Sequence, residues 1–347
     1  MSRKTPAVFR HVDPKLKVFL PPSSGGKDKP QKPPFDLSTL DGCRAFIGQI
    51  EAATNAIEPS VDTRGTETER VQVPKRPWSV FVTRPAKGAP SLGYALVFIH
   101  GGGMGMLSAE DNGLAQIRVD LASKGFTVAA VEFRNSAGKL GPYPFPAGLA
   151  DCVEAVKWAV ANKKSFLSSE KLVLMGVSGG ANLCLSSLVK LNREKKLKGI
   201  DGFYCLCPMI SNLYEDSDRE ERERLGLRSV SECMTDFVSD FGHALSKAYD
   251  PDGTHKKDAL AWPLWASPED LHGLPPCVIQ VNEVDTLRDD GVVMYRKLMH
   301  AGVDARAKVI LGTPHGGELM TRDLNRAMYE CAMDDVVSFA RGLQIRS

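Results

Sequence analysis

A serine, a histidine and a carboxylate in this sequence are of the types that act together in nucleophilic catalysis, the histidine taking the serine's proton and the carboxylate orienting the histidine. The serine is Ser178, in Gly176-Val177-Ser178-Gly179-Gly180. A serine hydroxyl is a weak nucleophile until a base takes its proton, a carboxylate orients that base, and donors meet the developing oxyanion. His315, in Thr313-Pro314-His315-Gly316-Gly317, is the candidate base, because it follows the last predicted strand by a few residues. Of the other histidines, His11 lies in a basic N-terminal arm, His100 belongs to a glycine loop, His243 and His300 fall on predicted helices, and His255 and His272 sit in an insertion. Asp285, just past a strand's carboxyl end, is the candidate carboxylate, with Glu283, Asp289 and Asp290 as rivals. Acids at 289 and 290 also suit the first turn of a helix, where they favour the dipole. His100-Gly101-Gly102-Gly103 offers bare backbone N–H groups that, with that of Gly179, would hold an oxyanion. A dinucleotide-binding fingerprint in the same loop would need glycine at Met106 or at Ser108, and it fails. No Walker loop and no H-E-x-x-H metal motif occurs either.

This chemistry needs elements that carry four distant stretches to one place. Leu172–Met175 is a short apolar run, the mark of a strand covered on both faces, and Ala181, Cys184, Leu185 and Leu188 recur at helical spacing after it. A helix therefore starts at the serine. Around this unit, strands at Tyr94–His100, Thr127–Phe133, Gly202–Cys207, Cys277–Val281 and Ala305–Leu311 alternate with helices at Leu114–Lys124, Phe145–Lys163, Arg288–His300 and Thr321–Arg341. The alternation predicts an α/β fold with a mostly parallel central sheet and helices on both faces. Arg70–Val73 and Trp78–Thr83, flanking a Pro-Lys-Arg-Pro turn, predict an antiparallel pair at one edge.

The expected organisation is an N-terminal arm and cap segment over residues 1–68, a core over 69–210, an insertion over 211–275 and the rest of the core over 276–347. Residues 14–34 hold six prolines and Gly25-Gly26 and are expected to be extended or disordered, ahead of a helical lid element at Leu37–Ile57. In the insertion, the acid- and arginine-rich Glu215–Arg224 predicts a solvated helix face. Ser229-Val-Ser-Glu232 has the form of a capping box ahead of one amphipathic helix carrying Met234, Phe237, Val238, Phe241, Leu245 and Ala248. The insertion is expected to cap the site or to pack on the main core. Met104, Met106, Met234, Phe237 and Phe241 are candidates for lining an apolar pocket.

Forty-four basic against 42 acidic side chains leave a net charge of +2, which argues against nucleic acid or an acidic membrane surface as partner. The N-terminus has no apolar signal region, and no run approaches 18 apolar residues, so the expected setting is cytoplasmic and without a membrane span. Eight scattered cysteines, among them Cys152, Cys184, Cys205, Cys207, Cys277 and Cys331 in apolar patterns, suit reduced core thiols. Cys205-Leu-Cys207 lacks metal-site spacing.

Taken together, His100–Gly103, Gly176–Gly180, Asp285-x-Leu-Arg-Asp289 and His315 resemble the motifs of the hormone-sensitive-lipase family of α/β-hydrolases, in that family's chain order. The resemblance covers roughly residues 69–343. It implies a triad of Ser178, Asp285 and His315, oxyanion donors at Gly102, Gly103 and Gly179, and a cap built from the N-terminal segment and the insertion. It also implies cofactor-free hydrolysis of short or medium acyl esters, small molecules being the partners. The usual G-D-S-A-G-G is Gly176-Val177-Ser178-Gly179-Gly180-Ala181 here, nearer to the form in brefeldin A esterase, and the usual Y-R-L-A-P-E is Phe133–Gly138. Amide or lactone hydrolysis by the same residues is an alternative, and a non-catalytic binding protein on this fold is another. Receptors related to the family lack its histidine base, so His315 counts against the last reading. Family members are often dimers, which brings in a homodimer, although no residue pattern here marks a dimer surface.

Overall fold

Branched and aromatic side chains in short runs fit a pleated surface buried on both faces, and they form the strands here. In the computed structural model, which describes residues 6–19, 34–57, 59–73, 78–320 and 322–344, the strands are β1 Thr66–Gln72, β2 Ser79–Pro85, β3 Tyr94–Ile99, β4 Thr127–Val131, β5 Lys171–Val177, β6 Gly202–Leu206, β7 Cys277–Val284 and β8 Ala305–Pro314. They make one sheet in the order β1-β2-β4-β3-β5-β6-β7-β8. β2 is antiparallel to both its neighbours, and every other pair is parallel.

The helices are α1 Leu40–Ile57, α2 Asn112–Ser123, α3 Ala147–Asn162, α4 Gly179–Arg193, α5 Arg219–Leu225, α6 Arg228–Cys233, α7 Asp236–Tyr249, α8 Pro268–Leu271, α9 Arg288–His300, α10 Gly317–Met320 and α11 Arg326–Gln344. Ala95, Val97 and Ile99 of β3 pack with α3 and α4 in one apolar cluster, while Tyr94, Leu96 and Phe98 pack with α2 and α11 in another. The period-two alternation of a strand thus feeds two cores. Among the described residues no helix is long and apolar enough to cross a membrane.

Four expectations are corrected. The single helix expected after a capping box at 229–232 is two helices, α6 and α7, broken at Met234, which has extended backbone. Ser229 lies inside α6, where its N–H donates to Asp289 at 2.7 Å and its hydroxyl to the Thr286 carbonyl at 2.8 Å. Those tertiary bonds displace the local cap, and Thr235 caps α7 instead, accepting from the Val238 N–H at 3.2 Å. Second, Glu215–Arg224 is not solvated throughout. Arg222 is buried, and its guanidinium donates to the carbonyls of Leu213 and Glu215.

Third, the start of the proline-rich stretch is ordered. Ala7–His11 and Pro14–Phe19 are short 3-10 helices, Val12 and Leu16 are buried against Val284, and the Asp13 N–H donates to the Gly312 carbonyl at 2.9 Å. Apolar side chains spaced for one turn found a surface between the ends of β7 and β8. The rest of that stretch, 20–33, and the Pro74–Pro77 turn lie outside the described residues. Fourth, Cys331 is exposed on the outer side of α11, while the other seven cysteines are buried free thiols.

The N-terminal helix α1 joins the insertion through α7. Phe46 meets Phe237 and Phe241 edge-on, with ring centroids 6.2 and 6.4 Å apart. Polar ties reinforce this contact. The Glu51 carboxylate accepts from the N–H groups of Leu107 at 2.6 Å and Lys139 at 2.7 Å. His243 on α7 places one ring nitrogen 2.9 Å from a Glu215 carboxylate oxygen and the other 3.0 Å from the Leu37 carbonyl. Both neighbours accept only, so both bonds form only with the imidazolium. The Cys43 thiol beside the ring, with Leu37 and Glu215, outweighs the cost of burial and pushes this imidazole up to about 9.

The folded value lies above the ordinary value of about 6.5, so the stabilisation is full below pH about 6.5 and is lost as pH rises through about 9. Amide exchange of α1 should therefore quicken, after correction for its intrinsic pH dependence, between those limits in wild type and much less in His243→Gln. Equal pH dependence in the two proteins would refute the clamp.

Candidate active site

Ser178 connects β5 to α4 with φ 54° and ψ −119°, a conformation rare for a side-chain-bearing residue. Its N–H donates to the Leu206 carbonyl at 2.8 Å, and its own carbonyl accepts from the Met209 N–H at 3.2 Å. The turn also needs bare backbone behind it. A Cβ at Gly180 would lie 2.1 Å from the Ile99 carbonyl oxygen, so only glycine lets α4 start against the end of β3.

Because β5, β7 and β8 run parallel, Ser178, Asp285 and His315 all follow carboxyl ends on the same edge. The structure brings them into one chain of hydrogen bonds. The Ser178 Oγ lies 3.0 Å from His315 Nε2, and His315 Nδ1 lies 2.8 Å from Asp285 Oδ2. Asp285 is 2% exposed, and its other oxygen accepts from the Leu287 N–H at 3.0 Å. The His315 side chain is 41% exposed, open to an incoming molecule. Desolvation lowers the basicity of its imidazole, but the Asp285 carboxylate and the Cys207 sulfur together raise it by more, and the net shift is upward.

The rival acids are engaged elsewhere. Glu283 meets His11 at 3.2 Å and the Gly312 N–H at 2.7 Å. Asp289 holds Ser229, and Asp290, fully buried, accepts from the Ser211 N–H at 3.1 Å, with burial pushing its carboxyl up to about 7. His100 is a brace: it is stacked on Phe133 at 4.3 Å and bonded to the Gly101 carbonyl at 2.8 Å, and burial pushes it down to about 4.

The glycine loop lies against the serine turn. A Cβ on Gly179 would stand 2.6 Å from the Met104 nitrogen and 2.7 Å from that of Gly103, so the Gly103-Met104 backbone lies directly against Gly179. The Gly102 carbonyl accepts from the N–H groups of Gly105 and Met106 at 2.9 and 3.0 Å, which curls the loop. Leu245 of α7 fills the space over Gly103.

Of the pocket candidates, Met104 and Met106 are buried in the main core, and Met234 lines a cavity of about 530 Å³ with Tyr214, Arg222 and Glu232. Phe237 is 47% exposed and stacks with Phe241 at 6.0 Å. Phe241 lies one turn before Leu245, whose side chain covers Gly103.

Two features escaped sequence reasoning. Cys207, at the end of β6 with φ 37°, has its sulfur within 4.8 Å of ligand-type atoms of Asp285 and His315. Gln280 and Asn282 are fully buried on β7 beneath the His315 loop. Amides alternating within an otherwise apolar central strand were the available signal.

A family profile described as the alpha/beta hydrolase fold matches residues 96–319. The chain belongs to that family. Within it the chain belongs with the hormone-sensitive-lipase group: it is 34% identical to a solved brefeldin A esterase, described as a bacterial homologue of human hormone-sensitive lipase, over 99% of this chain and 95% of that one, with a TM-score of 0.82. It is 29% identical to an arylesterase of Saccharolobus solfataricus over 63% of this chain and 67% of that protein. It is 25% identical to an ethyl acetate hydrolase of Pseudomonas putida over 88% of this chain and 91% of that protein. Other matched relatives are longer, the chain spanning 54% of the length of one lipase.

The carboxylate bond at 2.8 Å sets the expected titration of this family member's histidine. Followed by NMR, His315 should titrate above the ordinary imidazole value of about 6.5, and Asp285→Asn should bring its midpoint down. A wild-type midpoint at or below the ordinary value would contradict the pairing.

Proposed function

We propose that this α/β-hydrolase is a serine carboxylesterase acting on short- to medium-chain acyl esters, with Ser178 as nucleophile, His315 as general base and acid, and Asp285 as its orienting carboxylate. The observation that carries the reading is the continuous chain from the Ser178 hydroxyl through both ring nitrogens of His315 to a buried carboxylate. As the Ser178 oxygen bonds to the acyl carbon, its proton passes to Nε2, and Asp285 holds Nδ1–H so that Nε2 is the free acceptor. The carbonyl oxygen becomes an anion and is met by the N–H groups of Gly102, Gly103 and Gly179, each worth about 3 kcal/mol to the transition state. The imidazolium returns its proton to the departing alkoxide, and water repeats the attack on the acyl-enzyme.

The named relatives, an arylesterase, an ethyl acetate hydrolase and a brefeldin A esterase, support ester bonds as the target. We assign the apolar acyl or alcohol group to the side of the glycine loop bounded by α7, where Phe237 and Phe241 lie on Phe46, with Met104, Met106 and Met234 as the remaining candidate lining. In this reading α1 and the insertion form the cap. The seven buried free thiols support a reducing, cytoplasmic setting. A homodimer is carried only by the family resemblance, and sedimentation checks it.

Hydrolysis of p-nitrophenyl esters from acetate to palmitate should favour the short chains and disappear in Ser178→Ala. If the alanine variant keeps full activity, the assigned nucleophile is wrong. Gly102 has φ 100°, and a Cβ there would lie 2.2 Å from the Met106 carbonyl oxygen. Gly102→Ala should therefore displace the loop and lower kcat by about 10²–10³ in protein that still melts cooperatively. Wild-type kcat in that variant would remove Gly102 from the oxyanion site.

A further inference from the structure

Glu318 sits on α10, three residues beyond His315, and it is 1% exposed. A buried carboxylate needs donors, and β7 supplies them. Gln280 and Asn282 alternate on that strand, so their side chains leave on the same face. The Gln280 Nε2 donates to one Glu318 oxygen at 2.8 Å, and the Asn282 Nδ2 donates to the other.

The amide orientations are set by neighbours with fixed roles. The Gly316 N–H, which only donates, meets the Asn282 Oδ1 at 3.0 Å and so turns the Asn282 amide nitrogen towards Glu318 and Thr313 Oγ1. The Tyr204 hydroxyl donates to the Gln280 Oε1 at 2.6 Å and turns that amide the same way. Two donor chains therefore end on one carboxylate, and one of them begins at the backbone of the residue that follows His315.

We propose that Glu318 is a positioning carboxylate for His315: through Asn282 it fixes the Gly316 backbone that carries the imidazole, and its negative charge steadies the imidazolium formed when Ser178 gives up its proton. The role rests on the serine-hydrolase reading above. It differs from that of Asp285, which touches the ring directly, since Glu318 acts through the loop and through its field. Burial raises the Glu318 carboxyl by more than the amides of Asn282 and Gln280 and the charge on His315 lower it, so its net direction is upward, while an amide N–H donor on each oxygen favours the charged form. The other titratable groups in reach of its charge are Cys207 and Tyr204, with Asp335 and Arg306 acting on Tyr204, and Asp285 acting through the His315 ring.

The experiment is an NMR titration of His315 in full-length wild type, Glu318→Gln and Glu318→Asp, paired with ester kinetics. Glu318→Gln removes the charge at nearly constant size, and the His315 midpoint should fall by about half a unit to one unit. The acid limb of kcat/KM should move with it, and kcat should fall about ten- to a hundredfold with KM changed little, as for a slightly misplaced base. Glu318→Asp keeps the charge but withdraws it by one methylene, so the midpoint should stay within about 0.3 units of wild type while kcat still falls.

An unchanged midpoint in folded Glu318→Gln overturns the proposal. So does a drop in Glu318→Asp as large as loss of charge would give, and that variant decides the matter if the first does not fold. The titration needs no turnover, so an inactive wild type would count against the esterase reading while leaving this result legible.

Discussion

The backbone of Ser178 is the constraint on which the site depends. Holding a side-chain-bearing residue at φ 54° and ψ −119° costs on the order of 1–3 kcal/mol, which the surroundings must over-determine. They do so from three sides. The Leu206 carbonyl on β6 takes the Ser178 N–H, Met209 donates back to its carbonyl, and α4 abuts the end of β3 through glycines that leave no room for a Cβ. The result holds the serine oxygen at the sheet's edge and lays the glycine loop against it.

Sheet order then sets the distances the other residues must cover. β7 is two strands from β5 and β8 is three, so at about 4.8 Å per strand the end of β8 starts roughly 14 Å away in the sheet. His315 cannot reach the serine from the strand itself. Its loop must fold back over the ends of β6 and β7, and a loop that does so exposes backbone groups to a dry interior. Asn282 and Glu318 answer that need, because they anchor Gly316 from below while Asp285 holds the imidazole from the side.

The segments over this edge are tied by polar bonds as much as by apolar contact. Glu51 on α1 fastens Leu107, four residues past Gly103, and Leu245 on α7 covers Gly103. The N-terminal segment therefore packs as part of the site's surroundings, and docking of Val12 and Leu16 beside Val284 extends it to β7, the strand that ends just before Asp285.

Much of this was legible in the residues alone. Apolar runs, glycine spacing and the chain order of Ser178, Asp285 and His315 are local patterns, and local patterns determine which strands and turns form and which chemistry they can carry. The parallel sheet, the serine turn and the candidacy of Ser178 and His315 were all readable in that way. Tertiary structure decided what depends on partners far apart in the chain. It chose Asp285 over Glu283, Asp289 and Asp290, because only one carboxylate can stand 2.8 Å from the imidazole while the others satisfy buried donors. It broke the insertion helix at Met234, because Ser229 gained more from Thr286 and Asp289 than from its own helix start. It also gave Glu318, Asn282 and Gln280 a shared task, since burial makes each of them need the others and no spacing in the sequence announces that need.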